Sequence, residues 1–127
     1  MANNCILIID DDNRNIFALS AVLRSKGFVI QTASSAKEGI DKLYRDKGIK
    51  VVLMDMMMPD MDGYEAISQI RNNASLQHVK LVAVTAQAMK GDREKCLAAG
   101  ADEYVSKPIN VDVLLHLLEQ YKMVKDD

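Results

Sequence analysis

Apolar residues along this chain alternate between short unbroken runs and sets spaced as on a helix. Residues 4–9 form a run too short for a helix, followed at once by Asp10, Asp11 and Asp12, and this predicts a strand covered on both faces. Over residues 13–26 the period changes. Ile16, Leu19 and Leu23 recur at helical spacing, with Gly27 as the C-cap. Residues 28–33 read as a second strand. Ser35 and Glu38 form a capping box ahead of Ile40, Leu43 and Tyr44, which share a helix face that Gly48 ends. Residues 51–55 give a third strand, and Ala66, Ile67 and Ile70 a third helix that stops near Asn72 and Asn73. A fourth strand covers 80–84 and closes on Thr85. The fourth helix runs from about 88 to 99, with Gly100 behind it. Residues 103–106 make a short fifth strand, and Asn110 caps a last helix with Val111, Leu114, Leu115 and Leu118 inward.

Five strands, each followed by a helix, imply right-handed crossovers and a parallel sheet. The fold class is α/β: a three-layer αβα sandwich around a doubly wound five-stranded sheet, in the flavodoxin-like order 2-1-3-4-5. No repeat, low-complexity tract or linker interrupts the pattern. One domain accounts for residues 1–127, with a core of about 4–121 and fraying over 122–127.

Composition adds exclusions. Apolar residues make up 49% and charged residues 27%, which rules out disorder, collagen and a disulfide miniprotein. No apolar run approaches the ~20 residues of a membrane span, and no basic cluster opens the chain, so neither a membrane contact nor a signal peptide is expected. The net charge of −2 gives no basic footprint for nucleic acid. Cys5 and Cys96 lack CxxC spacing and read as buried, reduced thiols of a cytoplasmic protein. His78 and His116 have no ligand spacing for zinc.

The chemistry collects at one sheet edge. Asp10 and Asp11 follow strand one, Asp55 ends strand three, Thr85 ends strand four and Lys107 follows strand five. Open parallel sheets bind ligands beyond the carboxyl ends of their strands, where the strand order reverses, here between strands one and three. Three carboxylates meeting there repel one another, so at least one has a raised pKa when nothing is bound. A hard dication such as Mg²⁺, with Mn²⁺ as a substitute, relieves that repulsion. Asp12 is read as a helix cap alone.

Together these pieces resemble a response-regulator receiver domain of two-component signalling, over about 120 residues. The matching motifs are Asp10-Asp11, Asp55 with Met58-Pro59 and Asp62-Gly63 behind it, Thr85-Ala86, and Lys107-Pro108. The segments 13–19 and 88–96 look most like receivers of hybrid sensor histidine kinases.

The resemblance implies roles. Asp55 is the phosphoacceptor, taking a phosphoryl group from a phosphohistidine on a histidine kinase or histidine phosphotransfer protein. Asp11, Asp55 and the backbone carbonyl of Met57 hold the metal directly, and Asp10 acts through a water. Lys107 pairs first with Asp55 and then with a phosphoryl oxygen, and Lys107-Pro108 is a cis peptide. Thr85 and Tyr104 form the switch, read by a downstream protein on the face of the fourth helix, fifth strand and fifth helix. Met57 and Gln87 tune the lifetime of the acyl phosphate. Such a domain is not an enzyme in its own right, although it assists its own phosphorylation and dephosphorylation. It is either free-standing or part of a larger hybrid kinase, and the segment likenesses favour the latter. Met54 is expected in the core, Met56 and Met61 at the surface, and Asp62 as a cap of the third helix.

Three other readings compete. A phosphatase of the haloacid dehalogenase kind uses an Asp-x-Asp pair, which Asp10 and Asp12 fit, but Arg14 stands where Thr or Val belongs. A non-phosphorylated pseudo-receiver would not need the complete set of Asp11, Asp55, Thr85 and Lys107. A nucleotide-binding flavodoxin-like domain lacks its glycine-rich loop here.

Overall fold

The structure is a computed structural model, and it describes residues 5–57, 63–85 and 91–121. Five strands, β1 (Cys5–Ile9), β2 (Val29–Ala33), β3 (Ile49–Asp55), β4 (Lys80–Thr85) and β5 (Glu103–Ser106), form one parallel sheet in the order β2-β1-β3-β4-β5. Between and after them run α1 (Asn13–Ser25), α2 (Ala36–Arg45), α3 (Gly63–Arg71), α4 (Asp92–Ala99) and α5 (Val111–Gln120).

The strand pleat sends alternate residues to opposite faces, which creates two cores. On one face Leu7 and Ile9 meet Ile40 and Leu43 of α2, Ile67 and Ile70 of α3, and Cys96 of α4. On the other, Ile6 and Ile8 meet Leu23 of α1 and Leu114, Leu117 and Leu118 of α5. That is the sandwich and strand order expected from the sequence. Met54 is fully buried, and both cysteines are buried and unpaired.

Several element details differ from the sequence expectation. Helix α2 stops at Arg45, before Gly48, because Asp46 turns the chain: its carboxylate accepts the Gly48 N–H at 2.8 Å and a hydrogen bond from Gln31. The buried stripe of α2 is Ala36, Gly39, Ile40 and Leu43, which leaves Tyr44 a step round the helix and exposed. Strand β3 begins two residues early, since Ile49 is fully buried. A 3₁₀ turn at Ala74–Leu76, capped by Asn73, has no counterpart in the sequence reading. Helix α4 starts at Asp92 after Gly91 at φ +91°, so it is shorter than predicted; residues 86–90 lie outside the described residues. In α5 the buried stripe is Leu114, Leu117 and Leu118, while Leu115 is half-buried.

Candidate functional site

Three backbone hydrogen bonds draw the strand ends together. The Asp10 N–H donates to Ala33 O (3.1 Å), Met56 N–H to Val84 O (2.8 Å) and Lys107 N–H to Thr85 O (2.7 Å). They continue the sheet just past its carboxyl edge. Asp10, Asp55 and Thr85 are three of the four buried polar or charged residues among those described. A core seldom accepts such groups without a chemical reason.

Asp10, Asp11 and Asp55 each present a carboxylate oxygen, and the three oxygens lie within 4.8 Å of one another. Asp10 and Asp55 are buried, whereas Asp11 is exposed and opens the cluster to solvent. The two buried carboxylates are held alike. Oδ1 of Asp55 accepts the Met57 N–H at 3.0 Å, and Oδ1 of Asp10 accepts the Asp12 N–H at 2.9 Å. Each turns Oδ2 to the Lys107 ammonium, at 3.5 Å and 3.3 Å respectively. One ammonium thus faces two buried carboxylates, with a third close by. Burial pushes the Asp55 carboxyl above its ordinary value, and the Asp10 carboxylate adds to this. The Met57 N–H and Lys107 act in the opposite direction.

Oxygen donors with excess negative charge in a partly open cleft suit a hard divalent cation. The residues present therefore fit Mg²⁺, with Asp10, Asp11 and Asp55 as the side chains able to hold it.

Asp12 stands apart. Its carboxylate accepts the Arg14 N–H at 2.9 Å and caps α1, and chiefly that backbone bond holds its carboxyl below the usual range. A phosphatase built on Asp10 and Asp12 would need that second acid in the cleft.

Thr85 and Tyr104 border one cavity of about 170 Å³, with Met56, Met57, Tyr64, Asp92 and Cys96. Tyr104 is half-buried against the core beneath α4. Met57 is 54% exposed beside Asp55, and Met56 is half-buried against the core, where the sequence had suggested surface. The Lys107-Pro108 peptide is cis. Gln87, and Met58, Pro59, Asp60, Met61 and Asp62, lie outside the described residues. Sequence reasoning missed Tyr64, Asp92 and Cys96 as walls of this cavity. They sit on helices, and only the pairing of α3 with α4 reveals their common target.

Residues 6–119 match the family model of the response regulator receiver domain. The chain belongs to that family. It is a receiver domain of two-component signalling. It is 36% identical over 119 residues to hybrid signal transduction histidine kinase I of Dictyostelium discoideum, covering 89% of this chain but only 7% of that kinase's length. Among solved structures, it resembles the receiver domain of sensor histidine kinase PA1611 from Pseudomonas aeruginosa, which has a magnesium ion coordinated in its active-site cleft. That match has a TM-score of 0.83 and 32% identity over 93% of this chain and 96% of the other. A third match is to the co-crystal structure of the yeast histidine phosphotransfer protein Ypd1 with the receiver domain of its downstream response regulator Ssk1. Here the TM-score is 0.84 and the identity 26%, over 94% of this receiver and 89% of the matched chain. No helix among the described residues is long and apolar enough to cross a membrane.

Proposed function

We propose that this receiver accepts a phosphoryl group on Asp55 from a phosphohistidine of a histidine kinase or histidine phosphotransfer protein. The observation that carries the reading is the meeting of Asp10, Asp11 and Asp55 within 4.8 Å beside a single lysine ammonium. A carboxylate oxygen of Asp55 attacks phosphorus, the phosphorus–nitrogen bond breaks, and the imidazole leaves with its electron pair. Such transfer depends on positioning and on stabilising charge that spreads over the equatorial oxygens. Mg²⁺, or Mn²⁺ in its place, supplies positive charge there; Asp11, Asp55 and the Met57 carbonyl would hold it, with Asp10 acting through a water. Lys107, already beside Asp55, is ready to meet a phosphoryl oxygen.

Thr85 and Tyr104 form the switch in this reading. The Thr85 hydroxyl turns to the phosphoryl group, and Tyr104 moves within their shared cavity, altering the face of α4, β5 and α5 that a downstream protein reads. Met57 and Gln87 govern access of water to the acyl phosphate. The chain acts in the cytoplasm, either free-standing or as one domain of a larger hybrid kinase, and the likenesses of segments 13–19 and 88–96 favour the latter.

Incubation with Mg²⁺ and acetyl phosphate, followed by intact-mass measurement, tests the reading. One added phosphoryl group is expected for the native chain and none for Asp55→Asn. Equal labelling of both would overturn it.

A further inference from the structure

Helix α4 has eight residues and is anchored by little apolar surface. Cys96, 1% exposed, is its one buried residue among those described. Its N-terminal end opens from Gly91 without a side-chain cap. A helix so short and lightly buried belongs to the low-stability end of a fold.

Its grip comes from α3. Tyr64, second residue of α3, packs half-buried against the core. The Lys95 Nζ lies 5.3 Å from the centroid of its ring. The Tyr64 ring thus ties α3 to the solvent side of α4. Tyr64 and Cys96 also wall the cavity that Thr85 and Tyr104 share. On the other flank, Arg93 Nε meets Glu103 Oε1 of β5 at 3.3 Å.

We propose that Tyr64 is a positioning residue that latches α4 to α3 and thereby sets the resting width of the Thr85–Tyr104 cavity. The proposal rests on the receiver reading only for what release of the latch would signal; the latch belongs to the unphosphorylated chain. To a tyrosine that merely filled the core, Lys95 would not matter.

Hydrogen exchange followed by mass spectrometry on the full chain, with no phosphodonor, decides this. The amides of residues 95–99 close the helical turns of α4 and report its opening. Loss of a single exposed cation–π contact should speed their exchange about 2–5-fold in Lys95→Met, whereas Tyr64→Phe, which keeps the ring, should leave it near native. Loss of the whole ring in Tyr64→Ala, its packing on the core included, should speed it at least as much. Amides of β1 and α5 should stay at native rates in all three. Lys95→Met alters only an exposed side chain, so the test survives a misfolded Tyr64→Ala. Native rates over 95–99 in Lys95→Met would overturn the latch. So would equal acceleration across α4, β1 and α5. Because no phosphoryl group is involved, neither outcome depends on Asp55.

Discussion

Lys107, just past β5, holds its ammonium 3.5 Å from the Asp55 carboxylate at the end of β3, with β4 lying between the two strands. The same ammonium reaches Asp10 at 3.3 Å, so one cation offsets two buried carboxylates. Lys107→Met keeps the stem and removes the charge. The orphaned carboxylates should then lower stability by roughly 1–3 kcal/mol in metal-free buffer, below the 3–5 kcal/mol of a fully buried pair because Lys107 is 22% exposed. Urea unfolding checks this. In Mg²⁺ the loss should shrink, since a bound dication replaces the missing charge.

Asp55→Asn should have the opposite sign. The amide oxygen can still accept the Met57 N–H, while the charge that burial and Asp10 disfavour is gone. A gain of roughly 0.5–2 kcal/mol at neutral pH is expected without metal, as at other sites where function opposes stability. The pH dependence follows from linkage. The folded Asp55 carboxyl titrates above its ordinary 3.8, so between that value and its raised one the native state binds more protons than the unfolded state. The native chain should therefore lose this contribution as pH rises through the window, and the advantage of Asp55→Asn should grow there and then level off. An advantage constant from pH 3 to 7 would show that Asp55 is not strained by its surroundings.

A cation that binds only the folded chain stabilises it by mass action, about 2.7 kcal/mol at a hundredfold excess over its dissociation constant. Thermal melts of the native chain should shift upward with Mg²⁺. Asp11→Asn removes the exposed member of the cluster with little effect on the core. Its melting temperature without metal should stay near native, and its Mg²⁺-dependent shift should be largely lost.

The sheet and the strand-end residues were legible because they follow from simple rules. Buried parallel strands are unbroken apolar runs, and polar residues directly after such runs must lie at one edge. Asp10, Asp55, Thr85 and Lys107 all follow that rule. Boundaries were harder where a side chain overrides local pattern. Asp46 ends α2 through bonds to Gly48 and to Gln31, and the latter lies 15 residues away. Tyr64 and Cys96 escaped because periodicity says which face of a helix is apolar, not which neighbour it meets.

Met57 stands 54% exposed next to Asp55, with its N–H on Asp55 Oδ1. A thioether holds water poorly, whereas an amide side chain can donate to and accept from one. Met57→Asn should therefore speed hydrolysis of the acyl phosphate without altering the fold. A time course of phosphate loss after removal of the donor measures it, and an unchanged rate would remove Met57 from water control.

The last prediction ties packing to the site. Gly39 of α2 lies directly against β1: a Cβ added there would sit 2.3 Å from Ile9 Cδ1 and 2.7 Å from Cγ1. Ile9 is fully buried, so the side chain has little room to turn aside. Gly39→Ala gains about 1 kcal/mol in helix propensity but suffers overpacking of typically 1–3 kcal/mol, for a net loss. Ile9 is followed immediately by Asp10, so relief of the clash moves β1 and the carboxylate that follows it. Gly39→Ala should therefore weaken Mg²⁺ binding, read from the melting shift, as well as stability. Gly48→Ala is the control, because its nearest neighbour is the exposed-side Asp46 Oδ1 at 3.1 Å, far from the cleft along the chain. If both variants bind Mg²⁺ equally, the packing of α2 on β1 does not position Asp10.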